Sequence, residues 1–371
     1  MSIFNYNIHG IITVQSDVWL PELEGFITAD APDLPTIRVR IGTVGRPAAI
    51  SGNVQRIRYD EGIGALGFGA EITIGDTVDV VASSLLRHSP HVLYTNIVEP
   101  ILRWTFVEKG YALVHGACIA VDEHAYLVTA RTDTGKTTTM LRMLARQRRA
   151  VDRMTFLSDD LTLVSRDGAV LTYPKPLTIS HHTVRAVNAT FLSWRERLLL
   201  PFQSRVHSRS GRRFAFFLTQ TRLPVATINA LVQWLVPPPK YHVQRLVPQV
   251  KVAREARLAG MFIIERGDDR DVPIGAQEAL EILMTNCEDA YGFPPYPVIK
   301  DFLHSRATCD LREVEREIVG KALMRHPTML LGSSKMDWAQ RISTLIHARP
   351  IENGQIFAEL PVAVLTPNLT A

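Results

Sequence analysis

The string ARTDTGKT, residues 130–137, carries the residue types that grip a polyphosphate. Such a loop works because backbone N–H groups at a helix start converge on phosphate oxygens, a lysine reaches the β- and γ-phosphates, and a hydroxyl binds Mg2+. Gly135, Lys136 and Thr137 are in place, but Ala130 stands where the pattern has its first glycine, and Asp133 lies inside the loop. If position 130 needs a left-handed backbone, its Cβ costs about 1–2 kcal/mol. An inward carboxylate at 133 would repel phosphate, so it is expected to point outward. Further on, Asp159 and Asp160 close a short strand, where nucleotide enzymes place one carboxylate on Mg2+ and another on the acceptor hydroxyl. His115, on an earlier apolar strand, could reach the phosphates or could be an ordinary core histidine. The Asp pair alone would also suit a turn. Taken together, the loop and the pair argue for nucleotide chemistry.

These residues need a strand–loop–helix frame, and the sequence supplies one. ALVHGACIAV (112–121) and AYLVTA (125–130) read as two apolar strands joined by a DEH turn, a hairpin that feeds the loop and sets His115 on the strand beside it. GKTTTMLRMLARQRRA (135–150) reads as a helix with Met140, Leu141 and Leu144 inward. MTFL then leads into the Asp pair, and LTLVS and VLTYP flank an RDGA turn as a second hairpin. Residues 1–83 alternate with period two between Gly, Pro and Asp punctuation, predicting a β-rich region that extends to residue 94. A helix over 95–109 is predicted, capped by Thr95 or Asn96 and ended by Gly110. The domain reading is therefore 1–94 β-rich, 95–185 a nucleotide-binding core, 186–257 a basic insertion, and 258–371 a return strand (LAGMFIIE) followed by a mainly helical region.

VHGACIAVDEHAYLVTARTDTGKT followed by LSDD resembles the bacterial HPr kinase/phosphorylase family and its HPr-kinase-related branch, which share a core with phosphoenolpyruvate carboxykinase. The likeness spans roughly residues 85–180 and includes YPKPLTIS after the Asp pair. It implies an α/β fold: a P-loop core with a mixed sheet, a β-rich N-terminal part and a helical C-terminal part. It implies a Mg2+-dependent kinase that moves the γ-phosphoryl group of ATP, or GTP, to a hydroxyl on a protein, peptide or small anionic acceptor. Residues Ala130, Arg131, Thr132, Asp133, Thr134, Gly135, Lys136, Thr137 and Thr138 would cradle the nucleotide, with Lys136 on the β/γ-phosphates. Thr137 and Asp160 would hold the metal, Asp159 would be the base on the acceptor hydroxyl, and His115 a phosphate-side residue. Thr138 replaces the acidic residue that follows the loop in the HPr enzymes, and their Arg-Gly-Leu-Gly signature is missing, so the acceptor stays open. A carboxykinase-like lyase and a non-catalytic nucleotide-responsive module are the alternatives.

The net charge of +4 hides an asymmetry, because residues 185–258 hold thirteen Arg and Lys against Glu196 and Glu255, a balance of +11, leaving −7 elsewhere. A basic segment in an acidic protein favours an anionic partner, although a solvated arginine-rich face is the alternative. Within it Arg205, Arg209, Arg212 and Arg213 are candidate acceptor ligands, since arginine forks suit phosphate and carboxylate. The charge-free stretch 223–239 offers a helix of about 12 residues, roughly 18 Å, too short for a hydrocarbon core of about 30 Å. It suits a membrane surface or lipid-like contact, or else a buried helix carrying Trp234. Nucleic acid is not expected, because aromatics do not interleave with the basic residues. A homo-oligomer is expected.

Three dispersed cysteines and an N-terminus without basic or apolar signal regions predict a cytoplasmic protein, with peripheral membrane contact as an option. GIGALG (62–67) matches a dinucleotide fingerprint only as a bare string; β-patterned residues follow it, so a glycine turn is expected. His181, His182, Cys287 and YGFPPYP have no partner spacing and read as structural.

Overall fold

The computed structural model describes residues 2–44, 55–63, 66–146, 154–179, 183–184, 192–194, 196, 199–201, 203, 223–306 and 309–347. Period-two sequence becomes strand in the N-terminal region. β1 (Phe4–Ile8), β2 (Ile12–Ser16), β3 (Ile27–Thr28), β4 (Ile37–Ile41), β5 (Gln55–Ile63), β6 (Leu66–Ile74) and β7 (Val78–Ala82) form a sheet ordered β3-β1-β2-β4-β7-β6-β5. In β2 and β7 every second side chain is buried, as the pleat demands. Gly62 and Gly67 face each other across β5 and β6, and a Cβ on either would stand 3.0 Å from the opposite strand's carbonyl. Those glycines serve close backbone approach and open no helix.

The next segment is helical earlier than predicted. Helices Ser84–His88 and Pro90–Leu93 lead through a π turn, Tyr94–Val98, into Glu99–Glu108. Thr95 is an interior residue whose hydroxyl donates to the His91 carbonyl at 2.9 Å, not a cap. Gly110 ends the run with φ 85°, a conformation glycine adopts without Cβ strain.

The second sheet positions the candidate site. It is built from β8 (Tyr111–His115), β9 (Ala117–Val121), β10 (His124–Thr129), β11 (Met154–Ser158), β12 (Leu161–Ser165) and β13 (Ala169–Leu171). A two-stranded ladder of β14 (Leu177–Thr178) and β15 (Lys240–Tyr241) lies outside it, and β16 (Glu255–Arg266), β17 (Arg270–Ile274) and β20 (Thr328–Ser333) complete it. β18 (Ser305–Arg306) and β19 (Cys309–Asp310) pair only with each other. The strand order is β11-β9-β10-β16-β13-β12-β8, with β20 beside β16 and β17 beside β20. The sheet is mixed: β10, β16 and β20 are parallel neighbours while β9 and β10 are antiparallel.

The apolar run 112–121 is not one strand. It breaks at Gly116, where a Cβ would lie 2.8 Å from Leu127 Cδ1 and 3.2 Å from the Val128 carbonyl. β9 continues into the hairpin with β10 as predicted, but β8 pairs with β12, so His115 sits opposite Leu161 and not on the strand beside the loop. The return strand also starts earlier than residue 258, at Glu255, inside the segment read as insertion.

Two apolar layers hold these elements. The larger joins side chains of both sheets to the helices Glu99–Glu108, Ala276–Ala290 and Leu311–Leu323, so the β-rich region and the core share one interior. The other covers the opposite face with helices Lys136–Ala145 and Trp338–His347. Part of the basic insertion packs on the first sheet. In helix Val225–Leu235, Thr227 donates its hydroxyl to the Glu61 carbonyl at 2.9 Å and accepts from the Phe68 amide at 2.9 Å. Trp234 is not buried as the helix reading expected; it is half exposed and lies 5.0 Å from the His88 ring. Among the described residues no helix is long and apolar enough to cross a membrane.

Candidate active site

β10 delivers the chain to residues 130–135, and helix Lys136–Ala145 starts directly after them. The helix has Gly135 at its cap position, a residue with no side chain to cap the first-turn N–H groups. That end favours an anion through both its amides and its dipole.

The two departures from the glycine pattern have different consequences from those expected. Ala130 does not adopt positive φ, and its methyl is buried in the second apolar layer, so the left-handed penalty does not arise. Left-handed geometry falls instead on Asp133, φ 65°, a residue type that tolerates it, while Gly135 has φ 130°. Asp133 is exposed. Arg266, at the end of β16, braces the loop from behind: its Nε donates to the Thr134 carbonyl at 3.2 Å and its Nη2 to the Asp133 carbonyl at 3.1 Å. The Thr134 hydroxyl donates to the Arg131 carbonyl at 2.8 Å, and the Thr138 and Thr183 hydroxyls meet at 3.1 Å. Arg131 and Thr132 are exposed at the rim.

Five of the expected residues come together. Lys136 is 8 % exposed, and its Nζ lies 2.9 Å from His115 Nε2. Burial lowers the affinity of this lysine for its proton, outweighing the attraction of Asp160 and Asp159. His115 Nδ1 faces the Asn286 backbone carbonyl at 3.0 Å and must therefore donate, because a carbonyl only accepts. Its Nε2 is then left to Lys136 on one side and to Asp160 Oδ1, 3.2 Å away, on the other. A ring nitrogen carries either a lone pair or a proton, so Nε2 makes one of these hydrogen bonds at a time, accepting from Lys136 or donating to Asp160. Gly116 fixes the adjacent backbone by donating its N–H to the Asp160 carbonyl at 3.0 Å.

The two carboxylates differ sharply. Asp159 is 4 % exposed and accepts from the Thr137 hydroxyl at 2.9 and 3.1 Å. Burial, and then the charge of Asp160, push its pKa up to about 6. Asp160, at φ 72°, has a side chain 51 % exposed. Burial of its surroundings would raise its pKa, but Lys175 and His115 prevail and hold it well below the usual carboxylate range. Thr137 thus meets Asp159 and not Asp160, the residue with which the sequence reading grouped it at a metal.

Lys175 is a member of the site that sequence reasoning missed. Its Nζ donates to Asp160 Oδ2 at 3.0 Å and to Glu99 Oε2 at 2.8 Å, and these two anions raise its own pKa against burial. It stands between Pro174 and Pro176 within YPKPLTIS, and that conformationally fixed lysine was the available signal. Asn286 was also missed. Besides orienting His115, its Nδ2 donates to the Thr129 hydroxyl at 3.3 Å, tying the C-terminal region to the strand before the loop.

Arg205, Arg209, Arg212 and Arg213 lie outside the described residues, as do His181 and His182. Cys118, Cys287 and Cys309 are all free thiols. Among the described residues there is no cluster of three or more His, Cys, Asp and Glu side chains placed for a metal ion. Oxygen donors of the kind a hard divalent cation takes are nonetheless present in Thr137, Asp159 and Asp160. The chain matches no model of a known protein family, and no curated protein matches it.

Proposed function

We propose that the chain is an ATP- or GTP-dependent phosphotransferase of the HPr-kinase-like type, acting on a hydroxyl acceptor. The observation that carries this reading is the pair of adjacent carboxylates beside the start of helix Lys136–Ala145, Asp159 buried against the Thr137 hydroxyl and Asp160 paired with Lys175, surroundings that push their pKa values apart. Neighbouring acids pushed apart in this way are how one site supplies a base and a permanent anion at the same pH.

Loop residues Ala130 to Thr138 embrace the triphosphate through their amides, and Lys136 leaves His115 to meet the β- and γ-phosphate oxygens. Asp159, with its pKa near neutrality, takes the proton of the attacking hydroxyl. Asp160 stays ionised on the metal side, anchored by Lys175. Mg2+ supplies charge neutralisation between the phosphates when bound. His115 holds the lysine in reserve and stands on the phosphate side.

The test combines labelling with a pH profile. Incubated with γ-labelled ATP, Mg2+ and an extract of the source cells, the protein is expected to label a discrete species, and the Lys136→Met variant is not. With that species purified, the rate is expected to climb through about pH 6, as Asp159 loses its proton, to a plateau above it. Absence of any labelled species, or labelling that persists in Lys136→Met, contradicts the proposal.

A further inference from the structure

We propose that the open cleft beside the loop seats the phosphoryl acceptor, and that the acceptor is a small hydroxyl compound of amino-acid type, bearing both an ammonium and a carboxylate. The inference rests on the kinase reading above and names its substrate class. The cleft has a volume of about 580 Å³, with Arg131 and Thr132 on one wall and Glu288, Asp289, Tyr291 and Lys300 on the other. That size suits a small molecule.

Its place follows from the same contacts that build the site. Helix Ala276–Ala290 touches His115 and Thr129 through Asn286, and the residues next in line, Glu288 and Asp289, form the far wall. The near wall precedes Lys136 by only a few residues. Through Arg131 and Thr132 the cleft borders the loop.

Charge selects the guest. Glu288 is committed to Arg103 at 2.8 Å, whereas Arg131, Lys300 and Asp289 make no ion pair among the described residues. Two cations and one anion, none of them in an ion pair among the described residues, line the same cleft and suit a molecule with both signs of charge. A purely anionic guest would meet Asp289 unpaired, and like charges brought together oppose binding. Tyr291 also lines the cleft; it is 5 % exposed, and its enclosed hydroxyl has no hydrogen-bond partner among the described residues.

In the reaction the guest's hydroxyl oxygen forms a bond to the γ-phosphorus while the bond from that phosphorus to the β–γ bridging oxygen breaks. The hydroxyl proton passes to the Asp159 carboxylate, and the nucleoside diphosphate leaves. No oxidant or further reactant is required.

The test is titration calorimetry on the protein loaded with Mg-ADP, using O-phospho-L-serine as a product-like zwitterion and glycerol 3-phosphate as an ester without the ammonium. O-Phosphoserine is expected to bind at least tenfold more tightly. Lys300→Ala and Asp289→Asn should each weaken it tenfold or more while leaving Mg-ADP affinity unchanged, which also verifies folding. Equal or tighter binding of glycerol 3-phosphate, no binding of either ester, or loss of Mg-ADP affinity in Lys300→Ala overturns the inference. Failure of the wild-type protein to bind Mg-ADP overturns the kinase reading itself, a different result.

Discussion

Replacing Asp159 by asparagine is expected to lower phosphoryl transfer by about 10²–10⁴-fold, the usual contribution of a general base, while Mg-nucleotide affinity changes little. The amide keeps an oxygen that can accept from Thr137 but cannot take a proton from the acceptor. The same substitution carries a stability signature of the buried charge. Asp159 has a folded-state pKa of about 6, raised by burial and by Asp160, against about 4 in an unfolded chain. Below pH 4 both states hold the proton. Between pH 4 and 6 the folded state retains a proton that the unfolded state has lost, so stability falls as pH rises across that window. Above pH 6 the cost of the buried charge is complete, at about 3 kcal/mol. Asparagine has no such charge, so the variant should gain stability over wild type at pH 8 and gain nothing at pH 4. Urea melts at the two pH values read the difference. Turnover within tenfold of wild type, or equal stability differences at both pH values, would contradict the assignment.

Arg103→Ala carries the second large effect. Arg103 is fully buried, and its Nε and Nη2 donate to Glu315 at 2.7 and 2.8 Å, with Nη2 also 2.8 Å from Glu288. Its guanidinium sits 4.5 Å from the Trp104 ring centroid and 5.0 Å from that of Tyr291. Removing it leaves the Glu315 side chain, 2 % exposed, as an uncompensated buried anion. Breaking one side of a buried pair costs about 3–5 kcal/mol, and lost ring contacts add to this. Chemical denaturation should show the loss as a lower midpoint. Arg103→Met combined with Glu315→Leu should recover much of it, since replacing both partners by apolar groups is often close to neutral. A single-variant loss below about 1 kcal/mol would show that the pair is dispensable.

Sequence made the loop and the Asp pair legible because both are local: a few residues in fixed order between a strand and a helix. The hairpin of β9 and β10 was legible for the same reason, and its turn residues Asp122 and Glu123 do adopt positive φ, 45° and 67°. Strand partnership over distance was not. Nothing in an unbroken apolar run distinguishes Gly116 as a break, because what forbids a Cβ there is Leu127 and Val128 on another strand. β10 runs parallel to β16, and β16 to β20, pairings set by tertiary packing across more than a hundred residues and some seventy residues respectively. Glu99 and Asn286 were silent for the same reason, since each matters through what it touches, and the signal at Lys175 lay only in its flanking prolines. Ala130 was misjudged in energy, since the pattern assigns a glycine without saying which loop residue bears the left-handed angle.

The central claim is that the amides ahead of helix Lys136–Ala145, with Lys136, still grip a nucleotide although the first loop glycine is absent. Titration calorimetry with Mg-ATP on the full chain tests it most directly. A saturable heat that Lys136→Met abolishes is the predicted result; no heat with Mg-ATP or Mg-GTP, or a heat indifferent to Lys136, would contradict it.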